Sequence, residues 1–196
     1  PTTNNGVSGE NDSVDDFEQI IGGSGGDTLT GNALDNRLTG GAGNDTLSGG
    51  GGDDVFDEGS ASNGQDVFAG GAGVDRVDYG ARSTALTITI DGTANDGAAS
   101  EQDNVGTDVE AITGGSAGDS LTGSTGDDVL DGMGGNDTIS GLAGNDMLSG
   151  GDGVDTLSGG DGDDVLEDMS RGGTCDCGNG FDIGICDAPL ATCEVR

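Results

Sequence analysis

The sequence predicts an all-β solenoid of short stacked repeats, and three observations lead there. A nine-residue period runs through most of the 196 residues, the apolar content is too small for an ordinary globular core, and four cysteines crowd the C-terminal tail. Only 30% of residues are hydrophobic and 3% aromatic, 44 are Gly, and the formal net charge is -33. By itself such a composition reads as a disordered chain. A fold requires a repeat that stacks on itself, or a cation that neutralises the carboxylates.

The same numbers exclude several functions. A charge of -33 repels a nucleic-acid backbone or an anionic membrane surface. His, Lys and Trp are absent, which removes Ser-His-Asp and Cys-His catalysis and the commonest transition-metal ligand. No stretch approaches 18 apolar residues, so direct membrane insertion is not expected. The chain opens at Pro1 in polar sequence, as a processed or excised product would.

The repeat is G-G-x-G-x-D-x-U-x, with U a large apolar residue; its residues are called positions 1 to 9 below. Copies starting at Gly22, Gly40, Gly49, Gly70, Gly150 and Gly159 keep every Gly and the Asp. Those at Gly123, Gly132 and Gly141 lose only the second Gly, the copy at Gly114 has Ala117 for its third, and Gly31 opens a copy with Asn36 in place of Asp. Three inserted residues, Glu58–Ser60, precede a copy at Ala61 that still places Asp66 and Phe68 correctly. Two blocks of six repeats result, 22–78 and 114–167.

Between the blocks, 79–113 begins with Leu86, Ile88 and Ile90 alternating with Thr87 and Thr89, which predicts a half-buried strand. An acidic loop, Asp91–Asp103, follows, and is either an additional ion site or a solvated loop. Val105–Thr113 returns to register, with Glu110 at the Asp position and Ile112 at U. Residues 2–31 also align with 93–123, which puts Glu18 opposite Glu110 and makes both candidate ligands. The expected organisation is a first module 1–78, an insert 79–113, a second block 114–167 and a cysteine-rich cap 168–196. In the cap, 168–176 lacks the signature and 177–185 is a decayed copy.

Gly at positions 1, 2 and 4 permits a tight turn whose carbonyls converge, and the acid at position 6 adds a charged oxygen. Oxygen-only coordination of this kind suits Ca²⁺ rather than Zn²⁺ or Cu²⁺. Positions 7–9 form one short strand with a single inward apolar residue. Two repeats make one coil, so repeats two apart stack on the same side. The predicted carboxylate columns are Asp27, Asp45, Asp66 and Asp54, Asp75, then Asp119, Asp137, Asp155 and Asp128, Asp146, Asp164. Each ion would sit between stacked turns.

On these nonapeptides the chain resembles the repeats-in-toxin (RTX) calcium-binding proteins. The resemblance implies a parallel β-roll holding several Ca²⁺ ions in its turns, with Asp53, Asp127, Asp163, Asn44, Asn136 and Asn145 at position 5 assisting. It further implies secretion to the exterior or cell surface, and folding on meeting external calcium. One apolar residue per repeat is a meagre core for so charged a chain, which argues independently for a disordered metal-free state.

Competing chemistry is poorly supported. Gly22-x-Ser24-x-Gly26 fits a nucleophile-elbow pattern, but no His exists to activate the serine. The pairs Asp53–Asp54, Asp127–Asp128 and Asp163–Asp164 evoke glycosidase carboxylates, yet the repeat already accounts for them. Cys175, Cys177, Cys186 and Cys193 lack a common zinc spacing, and two disulfides are expected in an oxidising exterior. Cys175 pairs with Cys186 and Cys177 with Cys193, or Cys175 with Cys193 and Cys177 with Cys186. The resulting reading is a non-enzymatic extracellular calcium-binding module that folds and stiffens on binding Ca²⁺. Two others stand beside it: a head-to-tail self-assembling filament or surface-layer subunit, and an accessory roll of a larger secreted enzyme or toxin.

Overall fold

The computed structural model describes residues 11–13, 19–187 and 193. Each repeat contributes one short strand followed by a turn. In chain order the strands are β1 (Asn11–Ser13), β2 (Gln19–Ile21), β3 (Thr28–Thr30), β4 (Arg37–Thr39), β5 (Thr46–Gly51), β6 (Val55–Asp57) and β7 (Val67–Ala72). They continue as β8 (Arg76–Asp78), β9 (Leu86–Thr89), β10 (Gly97–Ala98), β11 (Asn104–Val105), β12 (Ala111–Thr113), β13 (Ser120–Thr122) and β14 (Val129–Asp131). The last are β15 (Thr138–Ala143), β16 (Met147–Ser149), β17 (Thr156–Asp161), β18 (Val165–Asp168), β19 (Thr174–Asn179) and β20 (Ile183–Cys186). There is no helix among the described residues, and so none long and apolar enough to cross a membrane.

Outside the insert successive strands fall on opposite faces, giving a parallel solenoid of about nine coils. One face is a continuous nine-stranded sheet, β2-β4-β6-β8-β12-β14-β16-β18-β20. The other is divided into β1-β3-β5-β7-β11 and β10-β9-β13-β15-β17-β19. Register follows the repeat, because a one-residue slip would turn the apolar residue outwards. Leu38, Phe56, Val77, Ile112, Leu130, Leu148 and Leu166 therefore form one inward ladder. Leu29, Leu47, Phe68 and Val105, and then Ile88, Leu121, Ile139 and Leu157, form the ladder opposite. All are buried in a single core.

The insert behaves as its pattern predicts up to Ile90: Leu86, Ile88 and Ile90 are buried, and β9 carries the ladder under β13. Ile112 likewise stacks between Val77 and Leu130. The acidic loop turns back on itself, and β10 pairs antiparallel with β9. That covers the free edge of β9, which an unpaired strand would leave open to association. With β10 on the edge of β9 and β11 on the edge of β7, the sheet on this face ends at β11 and restarts at β10. Asp96 spans the break: its two carboxylate oxygens accept the N–H groups of Thr89, in β9, and Val105, in β11, at 2.7 and 2.9 Å.

A buried ionic cluster fastens the insert to the first block. Arg82, 2% exposed, donates to Glu101 at 2.9 Å, to Glu58 at 3.1 Å and to Asn63 Oδ1 at 2.7 Å. Its guanidinium carbon lies 5.7 Å from the ring centroid of Tyr79, whose hydroxyl donates to Asp103 at 3.0 Å. Glu58 is the first of the three inserted residues, so the insertion supplies one partner of this cluster. Burial, with Asp66 and Asp103 nearby, pushes the Glu58 carboxyl up to about 8. Against the effect of its own burial, Glu101 is held below its ordinary range by the Ala98 amide and by Arg82.

The cap continues both faces. Cys175 takes the apolar place opposite Leu157, and Gly184 stands opposite Leu166. Disulfides join Cys175 to Cys186 and Cys177 to Cys193, one of the two connectivities left open by the sequence. The sulfur of Cys175 and Cys177, both buried, fills space that Gly184 cannot.

Breaking a buried ion pair from one side costs about 3–5 kcal/mol, whereas an exposed pair contributes about 0–1 kcal/mol. Arg82→Ala is therefore expected to lower stability in saturating calcium by the larger amount. Arg37→Ala, which loses the exposed Arg37–Asp57 pair at 2.8 Å, is expected to change it by no more than the smaller. Chemical denaturation of the two variants provides the comparison, and equal losses would count against the role given to the cluster.

Candidate metal centre

The position-6 residues stack in the predicted columns. In Asp45, Asp54, Asp66, Asp75, Asp137, Asp146, Asp155 and Asp164 one carboxylate oxygen accepts the backbone N–H of the position-6 residue one coil back, whereas Asp119 Oδ1 accepts that of Leu86. Asp27 N–H donates to Asp45 Oδ1 at 2.8 Å and Asp45 N–H to Asp66 Oδ1 at 2.7 Å. On the other side Asn36 donates to Asp54 and Asp54 to Asp75. In the second block Asp119 donates to Asp137 and Asp137 to Asp155, while Asp128 donates to Asp146 and Asp146 to Asp164. These bonds lock the register between coils that are 18 residues apart, or 21 across the insertion.

The second oxygen divides the turns into two sets. In Asp45, Asp54, Asp66, Asp75, Asp137, Asp146, Asp155 and Asp164, Oδ2 is buried with no hydrogen-bond partner among the described residues. In Asp27, Asp119 and Asp128 it accepts the N–H of position 2, from Gly23, Gly115 and Ser124 respectively. Asn36 is engaged in the same way by Asn32. Backbone handedness accounts for the division. Position 2 has positive φ at Gly41, Gly50, Gly71, Met133, Leu142, Gly151 and Gly160, which covers every turn of the unpartnered set except that of Asp66. None of the four hydrogen-bonded turns has positive φ there. The left-handed conformation swings the position-2 N–H away from the carboxylate. Met133 and Leu142, at φ 67° and 80°, are the two non-glycine residues among those described that accept this conformation.

Around the unpartnered oxygens lie carbonyls. A Cβ on Gly132 would fall 2.9 Å from the carbonyl oxygen of Gly150, one coil on, and against Asp137 Oδ2. One on Gly159 would lie 2.6 Å from Cys177 O and against Asp164 Oδ2. Position 1 is glycine because carboxylate and carbonyl oxygens occupy the space of a side chain. No group of three or more His, Cys, Asp or Glu converges among the described residues, so each turn combines a carboxylate with main-chain carbonyls. Burial pushes these carboxyls upward, Asp54, Asp137 and Asp146 to about 6 and Asp66 to about 7, with neighbouring carboxylates adding to the effect. Buried acceptors of negative charge with no donor fit a hard, oxygen-seeking cation.

Four overlapping matches to the RTX calcium-binding nonapeptide repeat cover residues 21–56, 56–81, 113–148 and 131–166, more than half the chain. The chain belongs to the RTX calcium-binding repeat family. Its nonapeptides thus bind Ca²⁺ in multiple turns and form a structural unit rather than a catalytic one. No curated protein matches the sequence.

Other expected residues fall into place differently. The position-5 residues form an exposed ladder running the opposite way, each side-chain oxygen accepting an N–H from the next coil. Asn44 accepts from Gln65, Asp53 from Val74, Asp127 from Asn145, Asn136 from Val154, Asn145 from Asp163 and Asp163 from Phe181. In the three asparagines that bond engages the side chain's only oxygen. The members of each Asp pair point to opposite sides, with Asp53, Asp127 and Asp163 outward and Asp54, Asp128 and Asp164 inward, so they do not face one substrate. Ser24 sits in the first turn, bridged to Ala42. Glu110 stands in the column above Asp75 and accepts its N–H at 2.9 Å; Glu18 lies outside the described residues.

Two column members escaped the sequence reading. Asp103 accepts the Asp66 N–H at 2.9 Å and Asp182 that of Asp164 at 3.0 Å. Each precedes the ladder position by two residues, Val105 and Gly184, which was the available signal.

An L-residue in the left-handed region costs about 1–2 kcal/mol, and Met133 and Leu142 are half exposed. Met133→Gly and Leu142→Gly are each expected to raise the thermal midpoint in calcium, by a net stabilisation of about 1 kcal/mol after the entropy cost of glycine. A calorimetric scan showing a fall would contradict the assigned strain. A pH dependence follows too. The carboxyls of Asp54, Asp66, Asp137 and Asp146 titrate near 6 to 7 when folded against about 3.9 in an unfolded chain. Their contribution to metal-free stability is therefore present below about 3.9 and lost as pH rises through 6 to 7. Calcium-stripped protein should gain β ellipticity on acidification through that window, while the calcium midpoint moves to higher concentration. A signal that stays flat between pH 7 and 5 would count against it.

Proposed function

We propose that the protein is an extracellular calcium-folded structural module, little structured without metal, that stiffens into a solenoid as Ca²⁺ fills its turns. The observation that carries this reading is the row of eight buried carboxylate oxygens without donors. Burying an ionised carboxylate costs several kcal/mol unless it is paired, and at net charge -33 the chain has few cations of its own to offer. The regular-turn aspartates named above would hold the ions with main-chain carbonyls of adjacent coils. Glu110 joins its column by virtue of its longer side chain. The two disulfides support an oxidising compartment, outside the cell or on its surface. Affinities of the extracellular kind, in the range of about 0.1–1 mM, would keep the module unfolded before export and folded after it.

Far-UV circular dichroism and light scattering during a calcium titration of the stripped protein provide the test. The expected result is a coil-to-β transition at constant mass, moved to higher calcium by Asp137→Asn. A mass that rises with the β signal would put head-to-tail assembly in place of the monomeric module. No spectral change would overturn the proposal.

A further inference from the structure

The turn after Glu167 breaks the repeat in a particular way. In a regular turn, glycine occupies position 1 because the position-6 carboxylate presses on its Cα. Here position 1 is Asp168 and position 6 is Gly173, so the two residue types have changed places. The structure puts the carboxylate back where it belongs. A Cβ on Gly173 would collide with Asp168 Oδ2 and lie 2.8 Å from the carbonyl oxygen of Asp155, the position-6 residue one coil back. The carboxylate thus fills the gap between positions 1 and 6 from the opposite wall.

Its environment is that of the regular unpartnered turns. Asp168 is fully buried. Oδ1 accepts the Ser170 N–H at 2.8 Å, and Oδ2 has no partner among the described residues. The adjacent Arg171 does not serve it, being 95% exposed and directed at Asp187, 3.7 Å away. Ser170 ties the turn to the coil beneath, donating to Gly151 O at 2.8 Å and accepting from Gly153 N–H at 3.2 Å. The Asp168 carbonyl meanwhile accepts the Asp187 N–H at 3.0 Å, next to the disulfide-bonded Cys186.

We propose that Asp168 is the carboxylate of a further calcium site, built on a turn without the repeat signature, that ties the last regular coil to the disulfide-closed cap. The proposal rests on the calcium reading of the regular turns and extends it to one that the motif does not mark. Ion binding there couples calcium to the order of the cap.

The test counts calcium bound to the full-length, disulfide-intact protein by native mass spectrometry across a calcium titration. Asp168→Asn retains the side-chain volume and the acceptor for Ser170, and changes only the oxygen left for the ion. The variant is expected to bind one ion fewer than the wild type, the remaining ions keeping their affinity. An unchanged count overturns the proposal. A wild type that binds no calcium at all overturns instead the reading of the regular turns. Should the variant fail to fold, hydrogen exchange in the wild type decides. The amides of Ser170 to Thr174 are expected to slow on adding calcium along with those of the regular turns, and the proposal falls if the regular turns slow while these do not.

Discussion

Each coil carries carboxylates into its interior, and the rest of the architecture follows from how those groups are satisfied. One oxygen of the position-6 side chain accepts a main-chain N–H from the coil behind, which fixes the stacking distance and the register. The other oxygen is left among carbonyls that approach closely because position 4, and position 1 in every such turn but that of Asp66, is glycine. Hydrophobic burial is subordinate here. A single apolar residue per repeat closes the space between two sheets, while a net charge of -33 opposes compaction.

Turn conformation decides which carboxylates keep an oxygen without a main-chain donor. The turns of Asp27, Asn36, Asp119 and Asp128, which open the two blocks, use the position-2 N–H to satisfy the side chain internally. Most later turns adopt the left-handed conformation and forgo that bond. The opening turns still present carbonyls to the coil above, since a Cβ on Gly41 would run into Gly23 O and one on Gly50 into Asn32 O.

The insert shows how a repeat protein absorbs irregular sequence. Its strand β9 and the return at Ile112 obey the ladder, so one face passes through uninterrupted. The other face is broken, and its continuity is replaced by the two bonds of Asp96 and by the cluster centred on Arg82. An arginine, two glutamates and a tyrosine do locally what ladder hydrogen bonds do elsewhere, and they use the only arginine that is fully buried among the described residues.

Periodicity alone determined the solenoid, the strand at Leu86, the return to register at Ile112 and the columns from Asp27 to Asp164. Each of these depends on a local rule repeated every nine residues, and stacking identical units leaves little freedom in how they align. The tertiary structure decided what the period does not encode. Glu58, Arg82 and Glu101 meet across irregular separations, so their partnership has no sequence signal beyond the rarity of arginine. The choice between two disulfide pairings depended on which strand lies over which, and β19 and β20 settle it. The left-handed backbone at Met133 and Leu142 is imposed by the coil below and not by residue type. Asp168 is the sharpest case. A motif specifies which residue must be acidic, whereas the fold requires only that a carboxylate reach a given point, and that point is within reach from either side of the turn.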